Sequence, residues 1–301
     1  MSESSAPALD LSKEDELGWF AQLILDIRTA APALEPLLVG AMARNLLLQY
    51  AHGVEIERIT ADVDFALAVS DWAAFLSARE ALLACGVFEA HPTVLHKLRH
   101  ARFGSIDLVP FGAVERPDGS IAWPPDGVEI MEVLGYSEAN AAAVTIQLPQ
   151  HQVIRAVSLP MLAVLKIFAW KARHAHTQGK DAYDLAVILR NYLNAGNTER
   201  LYANFAHLIS DNFDFDRAGA WLLGRDAREQ MSRYGTRFGR LVELLDAVLI
   251  EESDPDGRLT LVSKLTQFNP AKGLDMLSAL RTGLLGSEGP EPACFHGKQA
   301  S

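Results

Sequence analysis

Cysteine is almost missing from this chain. Cys85 and Cys294 are the only two among 301 residues. Cys294 sits in a tail of Gly, Pro and polar residues, so neither a disulfide framework nor a thiolate metal site is expected, and a reducing cytoplasm is the default setting. Long apolar runs are missing too: no uninterrupted stretch approaches the roughly 20 residues that span a bilayer, so no membrane role is expected. Residues 1–15 are polar and acidic and lack the basic start and apolar middle of a secretory signal. Basic residues are in deficit, 27 Lys and Arg against 38 Asp and Glu, for a formal net charge of -11. That balance argues against a broad, non-specific embrace of nucleic acid, which rests on many cationic contacts to phosphate, but leaves room for a small catalytic contact. The nine histidines are scattered, and His174 and His176 adjoin no His-Asp pair, which weighs against a metal-dependent phosphohydrolase.

What is present reads as a globular protein, 49% apolar and 22% charged, long enough for one large or two medium domains. Two are expected. Leu17, Phe20, Leu23, Ile24 and Ile27 recur at helical spacing within 14–30. Pro36 to Gly40 reads as a short buried strand that runs into a helix from Ala41 to Tyr50, stopped by Gly53. A strand through Asp62 and Asp64 continues to Val69; Asp71 then caps a helix from Trp72 to about Cys85, with Gly86 as its stop. His96–Arg102 and Phe103–Phe111 read as the strands of one hairpin, and further strands are expected around 128–134 and 143–148. From Ser158, a helix cap followed by Pro160 in the first turn, the texture becomes helical: 161–171, 180–192, and segments near 198–210, 216–233, 236–251, 258–266 and 272–285. The expected organisation is therefore 1–155 as a catalytic mixed α/β domain, 156–285 as a helical domain, and 286–301 as a disordered tail.

The chemistry concentrates in Thr60-Ala-Asp62-Val-Asp64-Phe65. On a strand advancing about 3.3 Å per residue, Asp62 and Asp64 share one face with α-carbons about 7 Å apart, while Val63 and Phe65 face the core. Two such carboxylates can hold divalent cations. On the later strand Asp107 lies among apolar residues, sharing a face with Ser105 and Val109; a carboxylate there is costly unless paired, solvated or bound to a cation. A salt bridge to Arg99 or Arg102 across the hairpin is the structural alternative. Backbone amides after Gly40 can receive phosphate at a helix start, although a lone glycine is equally a close-packed turn. The basic run 96–102 reads more naturally as a solvated strand face than as a phosphate groove.

Leu38-Val-Gly40-Ala41, then Arg58-Ile-Thr60-Ala-Asp62-Val-Asp64-Phe65, then Ile106-Asp107-Leu108 resembles the polymerase-beta-like nucleotidyltransferase superfamily, and within it the AbiEii/AbiGii-type nucleotidyltransferases, which include toxins of toxin-antitoxin pairs. The likeness extends over roughly 35–235, taking in Leu162 to Arg173 with Lys166, and Lys180-Asp181-Ala-Tyr-Asp184-Leu185. It implies an α/β (α+β) mixed sheet with flanking helices followed by an all-helical domain. It implies a cytoplasmic enzyme moving a nucleoside monophosphate from a nucleoside triphosphate to a hydroxyl of RNA, tRNA 3' ends included, or of protein, with a cognate antitoxin as a further partner. Mg²⁺, or Mn²⁺ in its place, would be held by Asp62, Asp64 and Asp107, and Asp107 could take the hydroxyl proton. Lys166 and Asp184 join the three as catalytic candidates. Gly40, Ala41, Arg58, Thr60, Lys166, Lys180 and Asp181 are the nucleotide-binding candidates.

Two features stand against a simple transfer of roles. Gly-Gly or Gly-Ser is common where this chain has Gly40-Ala41, so a hydroxyl contact to phosphate is missing and only backbone amides remain. This supports the rival expectation of a catalytically silent binding or regulatory module. Lys166 is also explicable as a snorkelling lysine on an apolar helix, and Asp181 and Asp184 as helix capping beside Lys180.

Overall fold

The computed structural model describes residues 9–57, 62–174, 179–209, 213–234, 237–253, 260–265 and 269–287. The chain divides into two compact units, Met1–Leu165 and Lys166–Ser301. Among the described residues no helix is long and apolar enough to cross a membrane.

The first unit is a mixed α/β layer structure. In chain order its elements are β1 (Leu9–Asp10), α1 (Gly18–Ala30), β2 (Leu37–Val39), α2 (Gly40–Asn45), β3 (Asp62–Val69), α3 (Trp72–Ala84), β4 (Phe88–Ala90), β5 (Lys97–His100), β6 (Gly104–Gly112), β7 (Ser120–Ala122), β8 (Ile130–Glu132), α4 (Tyr136–Ala141), β9 (Val144–Gln147) and β10 (Val153–Ala156). Eight strands form one sheet in the order β1-β9-β10-β2-β3-β6-β5-β4; β7 and β8 form a separate ribbon. β3 and β6 run parallel at the centre, β2 antiparallel to β3, and β5 antiparallel to β6. Parallel neighbours require a crossover, and the connection through α3, β4 and β5 supplies it.

The period-2 pattern decides which face is core. Val63, Ile106 and Leu98 lie in register across three strands and are all buried, as are Phe65 and Leu108 next along. Each such side chain contributes about 1.5–3 kcal/mol of burial. α1 buries Phe20, Leu23, Ile24 and Ile27, and its Asp26 accepts a 3.1 Å contact from buried His100. Asp71 caps α3 by accepting from the Ala74 amide at 2.7 Å, and Gly86 follows in the left-handed region at φ 80°. Five of the strands and α-helices escaped the sequence reading: β4, β7 and β10, each of three or four residues, β1, a two-residue strand parallel to β9, and α4. β1 is too short to show a period, and α4 begins at left-handed Gly135 with no side-chain cap.

The second unit continues from α5 (Leu159–Arg173), whose start is capped by the Ser158 hydroxyl accepting from the Met161 amide. It then comprises α6 (Lys180–Asn191), α7 (Thr198–Asn204), α8 (Phe215–Tyr234), α9 (Phe238–Ser253), α10 (Thr260–Leu265) and α11 (Pro270–Leu285). α8 and α11 cross at backbone contact: a Cβ on Gly224 would lie 2.1 Å from the Leu280 carbonyl oxygen, and one on Gly283 would lie 2.0 Å from that of Trp221. Gly283→Ala is therefore expected to force the helices apart and cost about 2 kcal/mol, read as a lower urea midpoint at unchanged slope.

Candidate active site

Strand register assembles the site. Val39, Asp64, Asp107 and Lys97 occupy one row across β2, β3, β6 and β5, at interstrand steps of about 4.8 Å. Asp64 and Asp107 are direct partners in the parallel pair, and Asp62 pairs with Ser105 one repeat earlier on the same face. This face carries the polar residues because its alternate is the apolar core face. Asp62 is exposed, whereas Asp64 and Asp107 are half-buried.

Gly40 follows Val39, so the register that sets Val39 beside Asp64 also brings Gly40 against the carboxylate. A Cβ at Gly40 would lie 2.0 Å from Asp64 Oδ2 and 2.8 Å from its Cγ, and the backbone there has φ +70°. Space and conformation both demand glycine. The helix that starts here has no side-chain cap at Val39, and the first-turn amides of a helix are the groups that can receive an anion. Ala41 is buried and offers only its backbone. Gly40→Ala is expected to cost about 2 kcal/mol, through the left-handed φ and the displaced carboxylate; the checks are a urea melt and nucleotide affinity, which should fall together.

Asp107 is paired, but with neither Arg99 nor Arg102: Lys97 Nζ lies 3.3 Å from its Oδ2. Register is the reason, because Lys97 stands directly opposite Asp107 while Arg99 stands opposite Glu89 and lies 3.5 Å from its carboxylate. Lys97 is thus a site residue that the sequence reading passed over. A turn centred on Arg102 pairs positions 97 and 107, so the hairpin itself held the signal. The second oxygen, Asp107 Oδ1, is buried and accepts no hydrogen bond among the described residues. A buried carboxylate oxygen left so is costly, and a hard divalent cation, which takes oxygen ligands, would satisfy it. The residues present therefore fit such an ion. Among the described residues no three His, Cys, Asp or Glu side chains already gather at ion-holding distance. Arg58 and Thr60 lie outside the described residues.

The helical unit holds a second charged cluster. Lys166 Nζ lies 3.2 Å from Asp181 Oδ1 and 2.5 Å from Asp184 Oδ2, and Arg173 clasps Asp181 with two 2.9 Å bonds. Lys166 and Arg173 are seven residues apart on one stripe of α5, and Asp181 and Asp184 share a face of α6 at i, i+3 spacing. Both aspartates are about 1% exposed. Burial pushes the Asp181 carboxyl upward, but the Arg173 bonds and the Lys166 charge outweigh it and hold the group below the usual carboxylate range. The lysine does not snorkel and the aspartates are not caps beside Lys180, which is exposed. Arg173 is the second residue that the sequence reading left without a role; its seven-residue spacing from Lys166 was the available signal.

A mixed sheet carrying paired carboxylates beside a strand-glycine-helix turn defines a nucleotidyltransferase-type architecture. The sequence model for the nucleotidyl transferase AbiEii toxin of the type IV toxin-antitoxin system matches residues 34–249, well over half of the chain. The chain belongs to this family and is a nucleotidyltransferase. Among solved structures it is similar to the antibiotic-resistance factor ANT(2'')-Ia, at 14% identity and a TM-score of 0.36, over 63% of this chain and 96% of that one. No curated protein matches.

Proposed function

We propose that this protein transfers a nucleoside monophosphate from a nucleoside triphosphate to an acceptor hydroxyl, on an RNA 3' end or on a protein. It acts as the toxin of a cytoplasmic pair whose antitoxin is its partner. The observation that carries this reading is the row in which Asp64 and Asp107 stand side by side with Gly40 packed against Asp64. Mg²⁺ or Mn²⁺ bound by Asp62, Asp64 and Asp107 would supply charge neutralisation at the triphosphate. The first-turn amides after Gly40 hold the outer phosphates. Asp107 accepts the proton of the acceptor hydroxyl, whose oxygen bonds to the α-phosphorus as the bond to pyrophosphate breaks. Lys166 contacts the triphosphate, oriented by Asp181 and Asp184; Arg58, Thr60 and Lys180 complete the nucleotide contacts.

Purified protein incubated with each α-labelled nucleoside triphosphate, Mg²⁺ and cell extract is expected to label macromolecular material, and EDTA is expected to stop it. Sensitivity of the label to ribonuclease or to protease names the acceptor. No label from any of the four nucleotides overturns the reading.

A further inference from the structure

The helical unit contains a cleft of about 690 Å³, lined among others by Asn204, Phe205, His207, Trp221, Arg225 and Arg228, a size ordinary for a small-molecule site. None of these residues belongs to the nucleotidyl-transfer site above. In a chain with 11 excess negative charges, the two arginines stand out because neither pairs with a carboxylate among the described residues. The Arg225 guanidinium lies 4.6 Å over the Phe205 ring and makes no hydrogen bond or ion pair among the described residues. Arg228 lies 5.0 Å over Phe238 and donates once, to the Leu284 carbonyl. Glu229, also on the wall, is engaged by Arg233. A half-buried guanidinium with its in-plane donors unspent is built for an anion, and oxyanions of phosphate take such donors in pairs.

The walls add a second requirement on the ligand. Phe205 and Trp221 meet edge to face at 5.3 Å, and the indole N–H donates to the Ser287 carbonyl, which fixes the ring in place. Trp221 is only 3% exposed and backs the wall, so the flat surfaces on offer are the Phe205 ring and the guanidinium planes, of a kind that accepts unstacked nucleobases, while Asn204 and His207 can read the polar edge of a base. An inorganic anion would leave most of the cleft empty, and an acidic peptide would make no use of the aromatic walls. We infer that this cleft binds a nucleoside phosphate, its base against the Phe205 and guanidinium surfaces that Trp221 backs and its phosphate on Arg225 and Arg228. The nucleotide is either free or part of an RNA strand.

Photo-cross-linking of the full chain reads the site directly and needs no turnover. With EDTA present, 4-thiouridine monophosphate and a hexanucleotide containing 4-thiouridine are irradiated separately with the protein, and the adducts are mapped by mass spectrometry. Adducts are expected on the peptides bearing Phe205 and Trp221, with yield about tenfold lower in Arg225→Gln, the loss of a charge-assisted pair. Phe205→Leu serves as an independent variant, with the same fall expected, and circular dichroism of each variant confirms the fold. Labelling by the monophosphate identifies a free nucleotide; labelling by the hexanucleotide alone identifies RNA. Absence of adducts on these peptides with both probes, or an undiminished yield in folded Arg225→Gln and Phe205→Leu, overturns the inference.

Discussion

Asp64→Asn and Asp107→Asn are each expected to lower nucleotidyl transfer by more than about 100-fold, beyond the loss typical of residues that merely support metal ligands. Each removes a full charge from the same row of the sheet while keeping side-chain shape, so circular dichroism and melting temperature should stay near those of the parent. The two variants differ in one respect. Asp107→Asn strips Lys97 of its 3.3 Å partner, but that lysine is about one-third exposed and its pair is worth no more than about 1 kcal/mol. Steady-state rates with α-labelled nucleotide give the check. Near-parent turnover in both variants would remove these residues from the chemistry.

Lys166→Met is expected to destabilise the protein by about 3–5 kcal/mol, because it strands the Asp181 and Asp184 carboxylates in a buried site. Arg173 remains on Asp181, but the attraction that Lys166 exerts on both aspartates is lost. Replacing the three together, Lys166→Met with Asp181→Leu and Asp184→Leu, is expected to recover much of the loss, since well-packed apolar groups often substitute for a buried ion cluster. The native cluster also carries a pH signature. Because the folded-state carboxyl of Asp181 is held below its ordinary value, its contribution is fully present above the unfolded value of about 3.9 and is lost as pH falls through the lower, folded one. Urea melts between pH 7 and pH 3 measure this. Transfer activity normalised to folded protein separates a triphosphate contact from a purely structural role: a Lys166→Met protein with unchanged normalised kcat/KM would rule out the contact.

Local pattern carried much of this fold. Alternation along β3 placed Asp62 and Asp64 away from Val63 and Phe65, and the structure buries the latter pair as expected. Asp71, Gly86 and Ser158 marked helix ends because capping is a short-range matter of backbone donors and left-handed turns. Long-range pairing was not readable in the same way. That Asp64 and Asp107 are neighbours depends on β3 lying parallel to β6 with two strands intervening in sequence, and no local period encodes that choice. The partner of Asp107 was locally encoded in the hairpin register, yet charge alone favoured the arginines. Lys166 was open to two readings for a different reason: a lone cation on an apolar helix is ambiguous until the face of α6 opposite it is known.

The glycine at the head of α2 has a further bearing on how this molecule can vary. A single omitted carbon both admits the carboxylate and sets the trajectory of the chain entering the helix. Folding and chemistry thus draw on one atom's worth of room. Drift at this position cannot trade robustness for turnover, as it can in proteins whose reactive groups stand clear of the scaffold, because any side chain placed there spoils both at once.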